Sequence, residues 1–396
     1  MDRRDPLAPF LDRFLPPQGE QLVAYLDGNS LGRPPRAVRE RMAEFLGGPW
    51  GTRLIRGWPE EWMDWPEQTG DLLALAALGA APGQTVVADS TTVMLYKLAR
   101  AAVDAQHDRT EVVLDTDNFP TDRYVLEGIA AERGLTLRWI ETDPAEGVHL
   151  DQVEEAVGPR TALVVFSHVA YRSAWLADMG AITRMVHGAG ALMLWDLCHS
   201  VGSVPVELDA CDVDLAVGCT YKYLNGGPGA PAFGYVRADL QERLRQPIQG
   251  WMGRRDPFEM GPGYTPAAGI RGFVSGTPPI VGMLPVRVGV ELLAEAGIEA
   301  VRAKSQLLTR FLIDVVDSWP AELGVQLASP RADDRRGGHV TVRRSDFREV
   351  NQRLWERGVI PDFREPDGIR LGLSPLSTSF AETWRALEVL RESLAR

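Results

Sequence analysis

Between Thr85 and Val236 the chain keeps returning to one unit, a short apolar and often β-branched run followed by a polar turn and a helical pattern. The runs are Thr85 to Ala88, Glu111 to Asp115, Leu135 to Ile140, Thr161 to Phe166, Ala191 to Asp196, Val213 to Thr220 and Ala232 to Val236. Several are apolar on both faces, which is how strands buried between two helix layers read. A mainly parallel α/β sheet over residues 60–275 is therefore the expected architecture. In such sheets ligands gather beyond the strand ends, where loops meet helix N-termini. The polar residues at those ends are the ones to inspect.

The sixth run ends in Thr220-Tyr221-Lys222-Tyr223-Leu224-Asn225 and dissolves into Gly226-Gly227-Pro228-Gly229. Of 42 basic residues only three are lysine, at 97, 222 and 304, so lysine is rarely used where arginine would serve. Arginine never gives up its proton, whereas a desolvated lysine can become a neutral amine that attacks a carbonyl. A surface lysine closing a strand explains this stretch equally well on its own.

Before the sheet, a proline-spotted lead gives way to Tyr25-Leu26-Asp27-Gly28-Asn29-Ser30-Leu31-Gly32, whose crowded Gly, Asn and Ser predict a turn or binding loop. Pro35 to Phe45 reads as an amphipathic helix. Tryptophans at 50, 58, 62 and 65, with Arg53 and Arg56 between them, fit either an interdomain seam or an aromatic wall for a flat substrate. The Gly/Pro-rich passage Gly261 to Pro279 is the clearest break in composition and marks the way out of the large domain. After it come a helical pattern from Gly282 through Trp319, interrupted near Gly297, strands at His339 to Arg343 and Gly368 to Leu373, and a helix from Phe380 to Leu394. The expected division is an N-terminal segment 1–59 serving the small domain and substrate site, a large domain 60–275, and a smaller α+β C-terminal domain 276–396.

A net charge of −12 argues against a nucleic-acid partner, which needs a clustered basic excess. Three cysteines without a CxxC pair describe neither a disulfide framework nor a zinc site, and they suit a reducing compartment. The stretch Met1 to Pro17 lacks an apolar signal region, and no run approaches 18 apolar residues. A soluble cytoplasmic protein with no membrane partner is expected.

Asp89-Ser90-Thr91-Thr92 follows a strand and opens a helix, where small hydroxyls cap the helix and, with its free N–H groups, can hold a phosphate. Capping alone also accounts for them. Asn118-Phe119-Pro120-Thr121-Asp122 sets a flat ring and a carboxylate on one turn, suited to stacking on a heteroaromatic ring or to anchoring the loop. Asp196 ends a nearly wholly apolar run, so its carboxylate needs a cationic or donor partner, for which a pyridinium nitrogen is one candidate. His199, three residues on, can hold that carboxylate or contact a phosphate, or serve the core.

Gly28-Asn29-Ser30-Leu31-Gly32, Asn118-Phe119-Pro120-Thr121-Asp122, Asp196 with His199, Tyr221-Lys222-Tyr223-Leu224-Asn225, Gly250-Trp251 and Ser374-Pro375-Leu376 occur in this order through nearly the whole chain. The set resembles the kynureninase family, pyridoxal-phosphate enzymes of the aspartate-aminotransferase fold (fold type I). The resemblance implies that Lys222 holds the cofactor as a Schiff base and later moves the α-proton, with Asp196 on the pyridine nitrogen. It places Phe119 against the ring, Thr91 and Thr92 at the phosphate, and Ser167, Asp122, His199 and Tyr221 around the cofactor. Trp251 and Thr277 would come from the partner of a homodimer with shared sites. Arg370 would clamp the substrate α-carboxylate, a two-pronged contact that a guanidinium makes well, with Ser30 and Trp58 also on the substrate side. The implied reaction is hydrolysis of kynurenine to anthranilate and alanine, part of tryptophan degradation and NAD biosynthesis, with Tyr221 protonating the β-carbon. Two departures stand out. Ser377 replaces a tyrosine common in the family, and Thr277 stands where animal members carry asparagine, which points to kynurenine rather than 3-hydroxykynurenine.

Two rivals share the cofactor. A cysteine desulfurase would need a nucleophilic cysteine on a mobile loop, yet Cys198, Cys211 and Cys219 all lie in or beside the central sheet segments. A non-catalytic pyridoxal-phosphate binder would need neither Arg370 nor Tyr221.

Overall fold

A computed structural model describes residues 1–16 and 22–394, and in it all seven apolar runs are strands of one sheet. After the short β1 (Ala24–Tyr25) these are β2 (Thr85–Val87), β3 (Glu111–Asp115), β4 (Thr136–Ile140), β5 (Thr161–Ser167), β6 (Leu192–Asp196), β7 (Leu215–Gly218) and β8 (Phe233–Val236). The order across the sheet is β2-β8-β7-β6-β5-β3-β4, with β8 alone antiparallel to its neighbours. Its direction follows from the sequence before it. A parallel return needs a long crossover, usually a helix, but Cys219–Ala232 is rich in Gly and Pro and has no helical pattern, so the chain folds straight back. Lys222 thereby lands in the loop at the carboxyl end of β7.

Helices cover both faces. They are α1 (Arg36–Phe45), α2 (Gly57–Glu60), α3 (Trp65–Leu73), α4 (Thr91–Ala105), α5 (Pro120–Arg133), α6 (Leu150–Ala156), α7 (Met179–Gly188), α8 (Ile280–Ala296), α9 (Ile298–Asp317), α10 (Phe347–Glu356) and α11 (Phe380–Leu394). Strand alternation sends Met193 and Trp195 to a core shared with α3, α6, α7 and α8, and Leu192 and Leu194 to a core shared with α4 and α5. Gly297, at φ +77°, ends α8 and lets α9 start in a new direction.

A second sheet, β12 (Asp362–Arg364), β13 (Gly368–Gly372), β10 (His339–Arg343) and β9 (Gln326–Leu327), is antiparallel throughout. With α9, α10 and α11 it encloses a third core, which also takes Ala24 and Leu26 from the N-terminal segment. There β1 pairs in parallel with β11 (Val359–Ile360). The helix α8 reaches the lysine loop directly: a β-carbon on Gly289 would lie 1.7 Å from the Leu224 carbonyl oxygen, so only glycine allows that approach. Among the described residues no helix is long and apolar enough to cross a membrane.

Candidate active site

The carboxyl ends of β2, β3, β5, β6 and β7 bring the expected residues together. Ser167 and Asp196 are paired last residues of β5 and β6, and Asp196 faces Val217 of β7. Asn118, which the sequence analysis assigned no role of its own, organises the next loop. Its Nδ2 donates to the Val165 carbonyl at 3.2 Å, while its Oδ1 accepts from Ser167 Oγ at 3.0 Å and from the Phe119 N–H at 2.8 Å. Phe119 stands edge-on to Tyr171 at 5.4 Å, and Lys222 Nζ lies 5.8 Å from its ring centre.

All three lysines are buried, so scarcity alone did not single out Lys222. Lys97 Nζ lies 2.6 Å from Asp89, and Lys304 Nζ lies 2.7 Å from Asp5. Lys222 differs in having no carboxylate within ion-pair distance among the described residues; its Nζ faces the His199 ring at 3.2 Å from Nε2. Burial, and then the Lys222 charge, push His199 well below the usual histidine range, so that ring is neutral. Tyr221 is raised above the usual phenol range, first by burial and then by Cys219, and so keeps its proton.

Asp196 is 4% exposed and accepts the Cys198 N–H at 2.7 Å. Asp122, at the start of α5, is buried against it. Burial first, then the charge of Asp196, push Asp122 well above the usual carboxylate range, so this carboxyl holds a proton. Its Oδ2 has no hydrogen-bond partner.

From the second sheet comes Arg370, 1% exposed. Asp362, directly opposite on β12, takes Nε at 2.6 Å and also contacts Nη2. Nη1 donates to the Tyr171 carbonyl at 2.7 Å and Nη2 to Ser30 Oγ at 3.1 Å. Ser30 belongs to the Gly28–Gly32 loop, which is tied to the lysine loop by Gly32 N–H to the Tyr221 carbonyl at 2.8 Å and Asn225 Nδ2 to the Arg33 carbonyl at 3.0 Å. Asp362 and Tyr171 went unnoticed in the sequence; the charged Asp-Phe-Arg run before Arg370 was the available signal for the first.

Ser90 caps α4, its Oγ accepting from the Val93 N–H at 3.4 Å, and Thr91 and Thr92 form the first turn. Asp89 holds φ +54°, an uncommon backbone for a non-glycine residue, fixed in place by Lys97. Trp62 and Trp65 are core residues around Phe45. Trp58 packs edge-on to Trp62 and, with Trp50, lines an apolar pocket against Pro278, Pro279 and Val281. Thr277, next to that wall, and Trp251 are both exposed in the single chain. Ser377 is buried.

The residues fit pyridoxal phosphate. An amine free of ion pairs, two adjoining buried carboxyls with an unpartnered oxygen, an aromatic ring near the amine and a helix N-terminus with hydroxyls are the groups its aldehyde, ring and phosphate need.

The family model for the kynureninase C-terminal domain matches residues 301–390. The chain is 43% identical over 401 residues to a kynureninase of Burkholderia pseudomallei, covering 100% of this chain and 94% of that protein. Among solved structures it resembles the cysteine desulfurase CsdA of Escherichia coli, with a TM-score of 0.83 and 16% identity over 98% of both chains. It also resembles a C-DES mutant with glycine covalently linked to the PLP cofactor, with a TM-score of 0.82 and 18% identity over 93% of this chain and 96% of that one. At such identities these two likenesses concern the fold.

Proposed function

The chain belongs to the kynureninase family, and from that premise we propose which of its residues carry out the hydrolysis of L-kynurenine to anthranilate and L-alanine. The enzyme uses pyridoxal phosphate. When bound, that group supplies a carbonyl for covalent attachment of the amino acid and a sink for electrons released at its α- and β-carbons. The observation that carries the assignment is the Lys222 amine, buried and without a carboxylate partner, beside the Asp122–Asp196 pair.

Lys222 Nζ would hold the cofactor through its aldehyde and would serve as the base for the substrate α-proton. Asp196 would hold the proton on the cofactor's ring nitrogen, and neutral Asp122 adds no negative charge of its own beside it. Phe119 would cover the cofactor's ring, with Ser167 and Asn118 fixing the Phe119 loop, His199 and Tyr221 would complete the enclosure, and Thr91 and Thr92 would meet the phosphate at the start of α4. Arg370 receives the α-carboxylate on the edge it now shares with Ser30, while Asp362 holds the other edge. Tyr221, which keeps its proton, gives it to the β-carbon after the Cβ–Cγ bond breaks.

The desulfurase alternative loses its nucleophile, because Cys198 and Cys219 are buried in the sheet region and Cys211 is partly covered. Anthranilate fluorescence after mixing with kynurenine tests the activity directly. Single-turnover kinetics of Tyr221→Phe test the acid: a fall of about 100-fold or more in anthranilate release is expected, and full turnover would remove Tyr221 from this role.

The exposed Trp251 and Thr277 are proposed to serve the site of a second copy in a homodimer, and Trp58, on the side of Thr277, goes with them. A single-protomer mass in sedimentation with full activity would contradict this. A cytoplasmic setting fits the three free cysteines and is tested by cell fractionation.

A further inference from the structure

One buried group on the Arg370 side of the site has no part in the mechanism above. In β10, Val340 and Val342 enter the third core, so His339 and Thr341 face the other way, opposite Gly372 and Arg370 of β13. Directly opposed residues share a face, so the missing side chain at Gly372 leaves room beside His339. Asn29 occupies it: its Oδ1 lies 1.9 Å from where a β-carbon on Gly372 would sit. His339 and Asn29 are both 0% exposed. Neither His339 ring nitrogen and neither Asn29 amide atom has a hydrogen-bond partner. The Tyr171 and Arg172 carbonyls, which accept from Arg370 and Thr341, also approach His339 as hydrogen-bond acceptors, but a neutral imidazole keeps one of its two ring nitrogens free to accept.

Burying such atoms unpaired costs about 1–3 kcal/mol each, whereas a buried water can satisfy several at once. An imidazole and an amide together offer it donors and acceptors. The location is informative too. The His339 ring is 5.8 Å from the His199 ring, and His199 Nε2 is 3.2 Å from Lys222 Nζ. Arg370 is the diagonal neighbour of His339 on the same face, roughly 7 Å away by sheet geometry. His339 thus stands on the same side of the site as Arg370 and His199. The reaction consumes one water.

We propose that His339 and Asn29 hold the water that adds to the γ-carbonyl of kynurenine, with His339 as the base that takes its proton. The proposal rests on the kynurenine-hydrolysing activity. The water oxygen bonds to Cγ, one of its protons passes to a His339 ring nitrogen, and the carbonyl π pair moves onto the carbonyl oxygen. Collapse of that oxyanion breaks Cβ–Cγ, sends the bond pair to Cβ and releases Cγ as the carboxyl group of anthranilate. The proton held by His339 then replaces the one Tyr221 gives to Cβ. Burial and the nearby Arg370 charge keep His339 uncharged in the resting site.

The test separates water addition from the α-proton chemistry that precedes it. L-alanine engages Lys222 and Arg370 but has no γ-carbonyl, so exchange of its α-proton in D2O, followed by NMR, reports on the holoenzyme without water addition. His339→Phe is expected to lower anthranilate release about 100-fold or more while alanine exchange stays within about threefold of wild type. His339→Gln, which can hold a water but not carry its proton, should show the same split. Equal falls in the two rates, or cleavage at the wild-type rate, would overturn the proposal. If His339→Phe does not bind pyridoxal phosphate, the two rates of His339→Gln decide by the same criteria. A wild-type protein that releases no anthranilate would instead refute the activity itself.

Discussion

Lys222→Ala protein releases anthranilate at least about 10⁴-fold more slowly than wild type, because no other amine can take over. Lys97 is locked between Asp89, Ser275 and the Phe273 carbonyl, and Lys304 is paired with Asp5. The loss should occur without unfolding. Removing one member of a buried ion pair strands its partner and is costly, but among the described residues Lys222 has no carboxylate within ion-pair distance to strand. Its removal leaves His199, a neutral ring, as its nearest polar neighbour. Thermal unfolding of the variant in the absence of cofactor should therefore match that of wild-type apoprotein. A melting point well below it would assign Lys222 a structural role as well.

Arg370→Lys has the second largest effect, a fall of about 10²- to 10³-fold in kcat/KM for kynurenine. The guanidinium here does two jobs on two edges. It is held by Asp362 through Nε and Nη2, and it points Nη2 at Ser30 and Nη1 at the Tyr171 carbonyl. A lysine ammonium is compact and cannot span both a fixed carboxylate and an incoming one. Placed against Asp362 it leaves the substrate carboxylate without a partner in a site where Arg370 is 1% exposed. Leaving a charge unpaired in such surroundings costs about 3–5 kcal/mol, a range that overlaps the expected fall. Steady-state kinetics with kynurenine check it, and an unchanged kcat/KM would place the carboxylate elsewhere.

The large sheet was legible because its strands are long enough, and buried enough, for apolar runs to show. The boundaries of β3, β10 and α11 coincide with the runs read from the sequence. The strands that escaped, β1, β9, β11 and β12, are two or three residues long, too short for alternation to register. In the site, Lys222, Asp196, His199 and Phe119 declared themselves by sitting at the ends of strands that the sequence located. Arg370 was expected, but its orienting partner Asp362 was not, because that contact depends on the register of β12 against β13. His339 was seen only as the first residue of a strand. Its polar face, shared with Thr341, acquires meaning once Gly372 and Asn29 are placed beside it. Scarcity of lysine proved to mark burial in general. The missing ion pair, visible only in three dimensions, is what sets Lys222 apart.

Borohydride reduction of the purified holoenzyme, followed by digestion and mass spectrometry, tests the central assignment most directly, since it fixes the cofactor irreversibly to whichever amine carries it. The pyridoxyl label is expected on the peptide containing Lys222 and on no other. A label on Lys97 or Lys304, or no label on protein that has the cofactor's visible absorbance, would contradict the account.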